Sequence, residues 1–125
     1  MEEFLTKYLG VPEGHIQCLL TVTTPTRKKI IDTLLGLSTS PQIQHGDNII
    51  IYFAGHGSSY DLEDSGPFEA DDISAVGFIQ ALCPVDRTAS GIDISIHDIS
   101  DREINTILAE ISRVKGNHIT LILDC

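Results

Sequence analysis

The chain has 125 residues, 42% of them apolar and 21% charged, which fits one folded domain and excludes a disordered or low-complexity chain. Eighteen acidic against eight basic residues leave a formal charge of -10. That balance argues against nucleic acid as a partner and favours cationic peptides or metal ions. The longest apolar run, Ile49 to Ala54, is far short of a membrane span, and the acidic amino terminus has no apolar core of the signal-peptide kind. Three cysteines, Cys18, Cys83 and Cys125, lack CxxC spacing. They read as free thiols in a reducing, cytoplasmic setting rather than as a zinc site.

In chain order, Phe4, Leu5, Tyr8 and Leu9 form one stripe of a helix over Glu2–Leu9, closed by Gly10 and Pro12. Ile16 to Val22 reads as a strand. Thr24-Pro25 is placed to start a second helix, Thr as N-cap and Pro at the first helical position. Its buried face is Ile30, Ile31, Leu34 and Leu35; Gly36 and the Ser38–Pro41 run end it, and Arg27-Lys28-Lys29 lies on its exposed side. After a turn at Gly46-Asp47-Asn48, Ile49–Ala54 is apolar without alternation, as in a central parallel strand covered on both faces.

Gly55-His56-Gly57 follows directly. Ser58 to Ala75 is polar and acidic and reads as a long loop, Val76–Cys83 as a short strand, and Pro84–Asp93 as loop. Ser100-Asp101-Arg102-Glu103 has the capping-box pattern, and Ile104, Ile107, Leu108 and Ile111 recur at helical spacing up to Gly116. Ile119–Leu123 is the last strand, followed by Asp124-Cys125.

Alternating helices and strands predict an α/β fold with a parallel sheet and right-handed crossovers. Sites in such sheets gather at the carboxyl ends of strands, where His56 and Asp124-Cys125 both fall. An imidazole can exchange a proton near neutral pH. Its flanking glycines permit unusual backbone angles and close approach of a substrate, the Gly57 amide could serve an oxyanion, and a thiol at the last strand would complete a Cys-His dyad. The same Gly-His-Gly also reads as a simple turn.

Asn48-Ile49-Ile50-Ile51-Tyr52-Phe53-Ala54-Gly55-His56-Gly57-Ser58 resembles the histidine motif of the caspase-like cysteine peptidases, in particular the metacaspase branch. Ile119-Thr120-Leu121-Ile122-Leu123-Asp124-Cys125 resembles the start of the family's cysteine motif, a hydrophobic strand running into Asp-x-Cys-His-Ser-Gly. Cys83-Pro84-Val85-Asp86, the Ile99–Ile104 helix start, Leu9–Pro12 and Thr24–Arg27 fit in the same order.

The resemblance implies a caspase-like three-layer α/β sandwich with a mainly parallel sheet. Residues 1–125 would form a partial catalytic domain, incomplete at both termini. It also implies a cysteine endopeptidase with His56 as the catalytic histidine, the Gly57 amide in the oxyanion hole, and Asp124 at the floor of a pocket for Arg or Lys. In the family order Cys125 occupies the x position, so the nucleophile would be the following residue and a chain ending here would be inactive. The other register makes Cys125 the nucleophile, with the acid one position too close.

Expected partners are peptide or protein substrates with basic residues, with no nucleic acid and no membrane. No cofactor is expected. Calcium activation through the acids of Asp61–Asp72 stands beside the alternative of a solvated loop, since no EF-hand spacing is present. Cys18 reads as a core thiol, Cys83 is a candidate to face the cleft, and His15, His45, His97 and His118 read as surface or turn residues. An unpaired edge of the Ile49–Phe53 strand would invite self-association. The alternatives in function are a non-catalytic caspase-like binding or regulatory module, and an unrelated acidic α/β module.

Overall fold

A computed structural model describes residues 1–19, 24–61, 78–88 and 96–125. Its elements are α1 (Glu2–Lys7), a 3-10 turn (Glu13–His15), α2 (Arg27–Thr39), β1 (Ile49–Ala54), β2 (Gly57–Asp61), β3 (Phe78–Leu82), β4 (Ile99–Ser100), α3 (Asp101–Lys115) and β5 (Ile119–Asp124). β1 pairs with β5 in parallel, from Ile49 opposite Ile119 to Ala54 opposite Asp124. β2, β3 and β4 form a separate antiparallel ribbon. The mixture is that of a caspase-like α/β fold. Among the described residues, no helix is long and apolar enough to cross a membrane.

The core lies between α2, α3 and one face of the parallel pair. Partners in register point to the same side, and successive residues alternate. Ile49, Ile51 and Ile119 therefore meet the helices, packing with Ile107 and Ile111 of α3 and with Ile31, Leu34 and Leu37 of α2, and Leu121 packs on the cluster of Ile30 and Ile104. A second cluster joins Ile30 and Ile104 to Leu82 and Ile99 of the ribbon, so the same two helices hold both sheets. The spacing of Ile104, Ile107 and Ile111 places them all on the buried stripe of α3.

The outer face is different from the expected one. Ile50 is 50% exposed and Ile122 38%, so among the described residues the helices cover only one side of β1. An unbroken apolar run is compatible with burial on either or both faces, and here only the odd-numbered residues of β1 face the helices.

The helix ends separate local signals from tertiary ones. α3 begins with the expected capping box: Ser100 Oγ accepts from the Glu103 amide, and the Glu103 carboxylate accepts from the Ser100 amide. Gly116 closes it with φ +94°, a conformation that disfavours side chains. α2 starts two residues later than the sequence implies. Thr26, not Thr24, is its cap, accepting from the Lys29 amide. The Arg27 amide donates to Asp86 Oδ1 at 2.8 Å, a cap supplied from 59 residues away that spacing cannot reveal.

α2 also runs through Gly36 to Thr39, because Leu37 packs into the core and Ser38 is buried and donates to the Leu35 carbonyl. Leu35, expected inside, is 40% exposed. Arg27, expected on the exposed side, is half-buried and ion-paired with Glu103. α1 ends at Lys7 rather than Leu9 and buries no residue. Residues 16–19 of the expected Ile16–Val22 strand are not in a strand, although Leu19 packs against the core. Residues 20–23 lie outside the described residues.

β2 replaces the first part of the long loop expected from Ser58. Its composition is polar because Ser58 and Tyr60 lie on the face of the ribbon away from the core and bond a buried acid there. β3 falls inside the expected Val76–Cys83 strand. Residues 62–77, which hold most of the acidic segment, lie outside the described residues, as do 89–95.

Candidate active site

Parallel pairing sends the carboxyl ends of β1 and β5 to the same rim. The ladder continues one step beyond β1, where the Gly55 amide donates to the Asp124 carbonyl at 3.2 Å. His56 follows, exposed, and β2 begins at the next residue. The Cys83 amide donates to the His56 carbonyl at 2.9 Å. The histidine backbone is thereby fixed between the end of the parallel sheet and the start of the ribbon.

Gly57 and Cys125 meet at this rim. A Cβ on Gly57 would lie 3.2 Å from Cys125 Sγ and 3.6 Å from the Ala81 carbonyl oxygen. A Cβ on Gly55 would lie 2.9 Å from Cζ of the Phe53 ring. Neither glycine has a positive φ. The expectation of unusual backbone angles is corrected: both glycines provide room, one for an aromatic ring and the other for the thiol. The opposite rim is closed separately, by the Ile49 amide on the His118 carbonyl, and by Lys115 Nζ on the carbonyls of Ser40 and Ile43.

Asp124 ends β5 on its outer face. Its Oδ2 accepts from the Tyr52 hydroxyl at 2.7 Å. That hydrogen bond, with partial burial and the nearby negative charge, raises the Tyr52 phenol above its ordinary range.

A second polar group occupies the outer face of the ribbon beside His56. The Asp98 side chain is only 4% exposed. Its Oδ2 accepts from Ser58 Oγ at 2.6 Å and the Tyr60 hydroxyl at 2.5 Å, with Arg87 at 3.3 Å and Cys83 Sγ at 3.5 Å. Arg87 also donates to Cys83 Sγ at 2.8 Å. Asp98 Oδ1 is buried without a partner among the described residues. Burial pushes the Asp98 carboxyl up, but the hydrogen bonds of Ser58, Tyr60 and Cys83 and the charge of Arg87 outweigh it and leave the group below the usual carboxylate range. The Asp98 bond raises the Tyr60 phenol in turn.

Sequence reasoning missed both Asp98 and Tyr52. The alternation of β2, with Ser58 and Tyr60 on one face, was the available signal for a polar partner; nothing local pointed to Asp98 itself. Cys83, a candidate to face the cleft, is a neighbour of the His56 backbone and a member of the Asp98 group. Cys18 is half-buried, and none of the three cysteines is in a disulfide. His15, His45, His97 and His118 are exposed. Among the described residues no three His, Cys, Asp or Glu side chains gather to hold a metal ion. The acids named for calcium lie outside the described residues, apart from Asp61 at the end of β2.

The rim therefore carries an imidazole, a thiol, a carboxylate and a glycine amide at the carboxyl ends of neighbouring parallel strands, on a caspase-like α/β frame. Such a set of groups is of the kind that cysteine peptidases use. The family model of the metacaspase, peptidase C14 domain, matches residues 1–125, and the chain belongs to that family. No match was found among curated proteins.

Proposed function

We propose that this rim is the catalytic edge of a cysteine endopeptidase that cuts after Arg or Lys. The observation that carries the reading is the register of β1 with β5: Ala54 lies opposite Asp124, so His56 and Cys125 leave the sheet side by side. In a complete catalytic domain His56 takes the proton of the nucleophilic thiol that follows Asp124 and returns it to the leaving amine, while the thiolate forms a thioester with the acyl half of the substrate. The Gly57 amide supports the oxyanion. Asp124 receives the basic side chain, for which a carboxylate is the complementary group. In the family's Asp-x-Cys order Cys125 stands at x, and a polypeptide of these 125 residues is expected to hydrolyse no peptide. Hydrolysis of an Arg-containing fluorogenic peptide that His56→Ala abolishes would assign the nucleophile to Cys125.

The pocket can be tested without turnover. A peptidyl chloromethyl ketone with Arg at its reactive end is expected to alkylate Cys125 about tenfold faster than the Asp analogue, the size of one charge-assisted contact. Asp124→Asn should remove that preference, with labelling followed by peptide mass spectrometry. Equal rates for the two reagents on the unsubstituted chain would contradict a basic-residue pocket.

A further inference from the structure

We propose that Tyr52 is a specificity-positioning residue: its hydroxyl holds the Asp124 carboxylate in the orientation in which a basic side chain meets it. The inference rests on the reading of Asp124 as the pocket acid. Tyr52 is opposite Ile122 in the register, not opposite Asp124. The two share the outer face of the parallel pair and meet on the diagonal, a distance that long aromatic side chains span. A phenol reaches across and places its oxygen 2.7 Å from Oδ2. A smaller side chain at position 52 would not reach.

The surroundings give this bond its use. Asp124 is exposed at a strand end, and among the described residues no helix packs on that face. An aspartate so placed would turn freely. Recognition of a guanidinium depends on two carboxylate oxygens presented in one plane, and each free rotation must be stopped on binding. Tyr52 stops it beforehand, using one lone pair of Oδ2 and leaving the other, with those of Oδ1, for the incoming group. The phenol is neutral at physiological pH, so it orients the acid without adding a competing charge. The raised Tyr52 phenol is the signature of a hydroxyl donating to an ionised neighbour.

The experiment uses the 125-residue chain and benzamidine, a small aromatic amidine that carries the planar cation of an arginine side chain. Binding is read from amide shifts in nitrogen-15 spectra, which also report folding. Benzamidine is expected to shift the β5 end in the unsubstituted chain and to be lost in Asp124→Asn. In Tyr52→Phe it should bind about three- to tenfold more weakly, the worth of one hydrogen bond. Ultraviolet titration gives a second readout: the Tyr52 phenol, identified by its loss in Tyr52→Phe, should ionise above its ordinary value and return to it in Asp124→Asn. A purely structural tyrosine would not follow the charge at position 124. If benzamidine fails to bind the unsubstituted chain, the basic pocket falls and this proposal with it. If it binds, is lost in Asp124→Asn and is unaffected or tightened by Tyr52→Phe, only the role of Tyr52 is overturned.

Discussion

Ile111→Ala is expected to lower the stability of the fold by about 3–4 kcal/mol, within the range for emptying a fully buried aliphatic site. Ile111 has no exposed surface, and it packs with Ile49 and Ile107 where α2, α3 and the parallel pair converge. Ile50→Ala provides the contrast. It removes the same atoms from the neighbour of Ile49 in β1, but on the outer face, where Ile50 is half exposed. Its cost should be below about 1 kcal/mol, since less apolar surface leaves water there on folding. Urea unfolding reads both: a large fall in midpoint for Ile111→Ala, a small one for Ile50→Ala, and an unchanged slope in each. Equal losses would mean that both faces of β1 are covered.

Asp98→Ala is expected to cost about 2–3 kcal/mol at neutral pH. The substitution removes one buried acceptor shared by Ser58, Tyr60, Cys83 and Arg87. Arg87 is half exposed and can turn to water, which keeps the loss below that of a fully buried ion pair. Ser58 and Tyr60 tie β2, across β3, to the residue that leads into β4 through this acid, so the ribbon next to His56 should loosen first.

The pH dependence has a definite sign. The folded Asp98 carboxyl titrates below its unfolded value, so the folded state binds the proton less well than the unfolded chain. Its contribution is present above the ordinary aspartate range near pH 4, and is lost as pH falls through and below it. The stability gap between the unsubstituted chain and Asp98→Ala should therefore be largest near neutrality and shrink by pH 3. A gap that widens on acidification would contradict the charged, hydrogen-bonded state of Asp98.

What the sequence revealed and what it hid divide by range. The ends of α3 were legible because a capping box and a positive-φ glycine act over a few residues. β1 and β5 were legible because runs such as Ile49–Phe53 and Ile119–Leu123 have few other uses. The start of α2 was not, because its first amide is capped by Asp86, far along the chain. β2 was hidden by its polar composition, because Ser58 donates to Asp98, 40 residues away. At the site, His56 stood out between two glycines after an apolar strand, and Asp124-Cys125 by its place at the end of another. Tyr52 read as one more strand aromatic, since its partner is 72 residues away and only the register of β1 with β5 brings them together.

The most direct measurement is paramagnetic broadening from a nitroxide on Cys125, with Cys18 and Cys83 changed to serine. Cys125 Sγ adjoins Gly57. Broadening should be strongest at the amides of Gly55, His56, Gly57 and Ser58, and fall along β1 towards Ile49, roughly 16–20 Å away over six residues of strand. Broadening centred on Asn48 or His118 would place the thiol at the other end of the sheet from the imidazole, and no peptidase edge would exist.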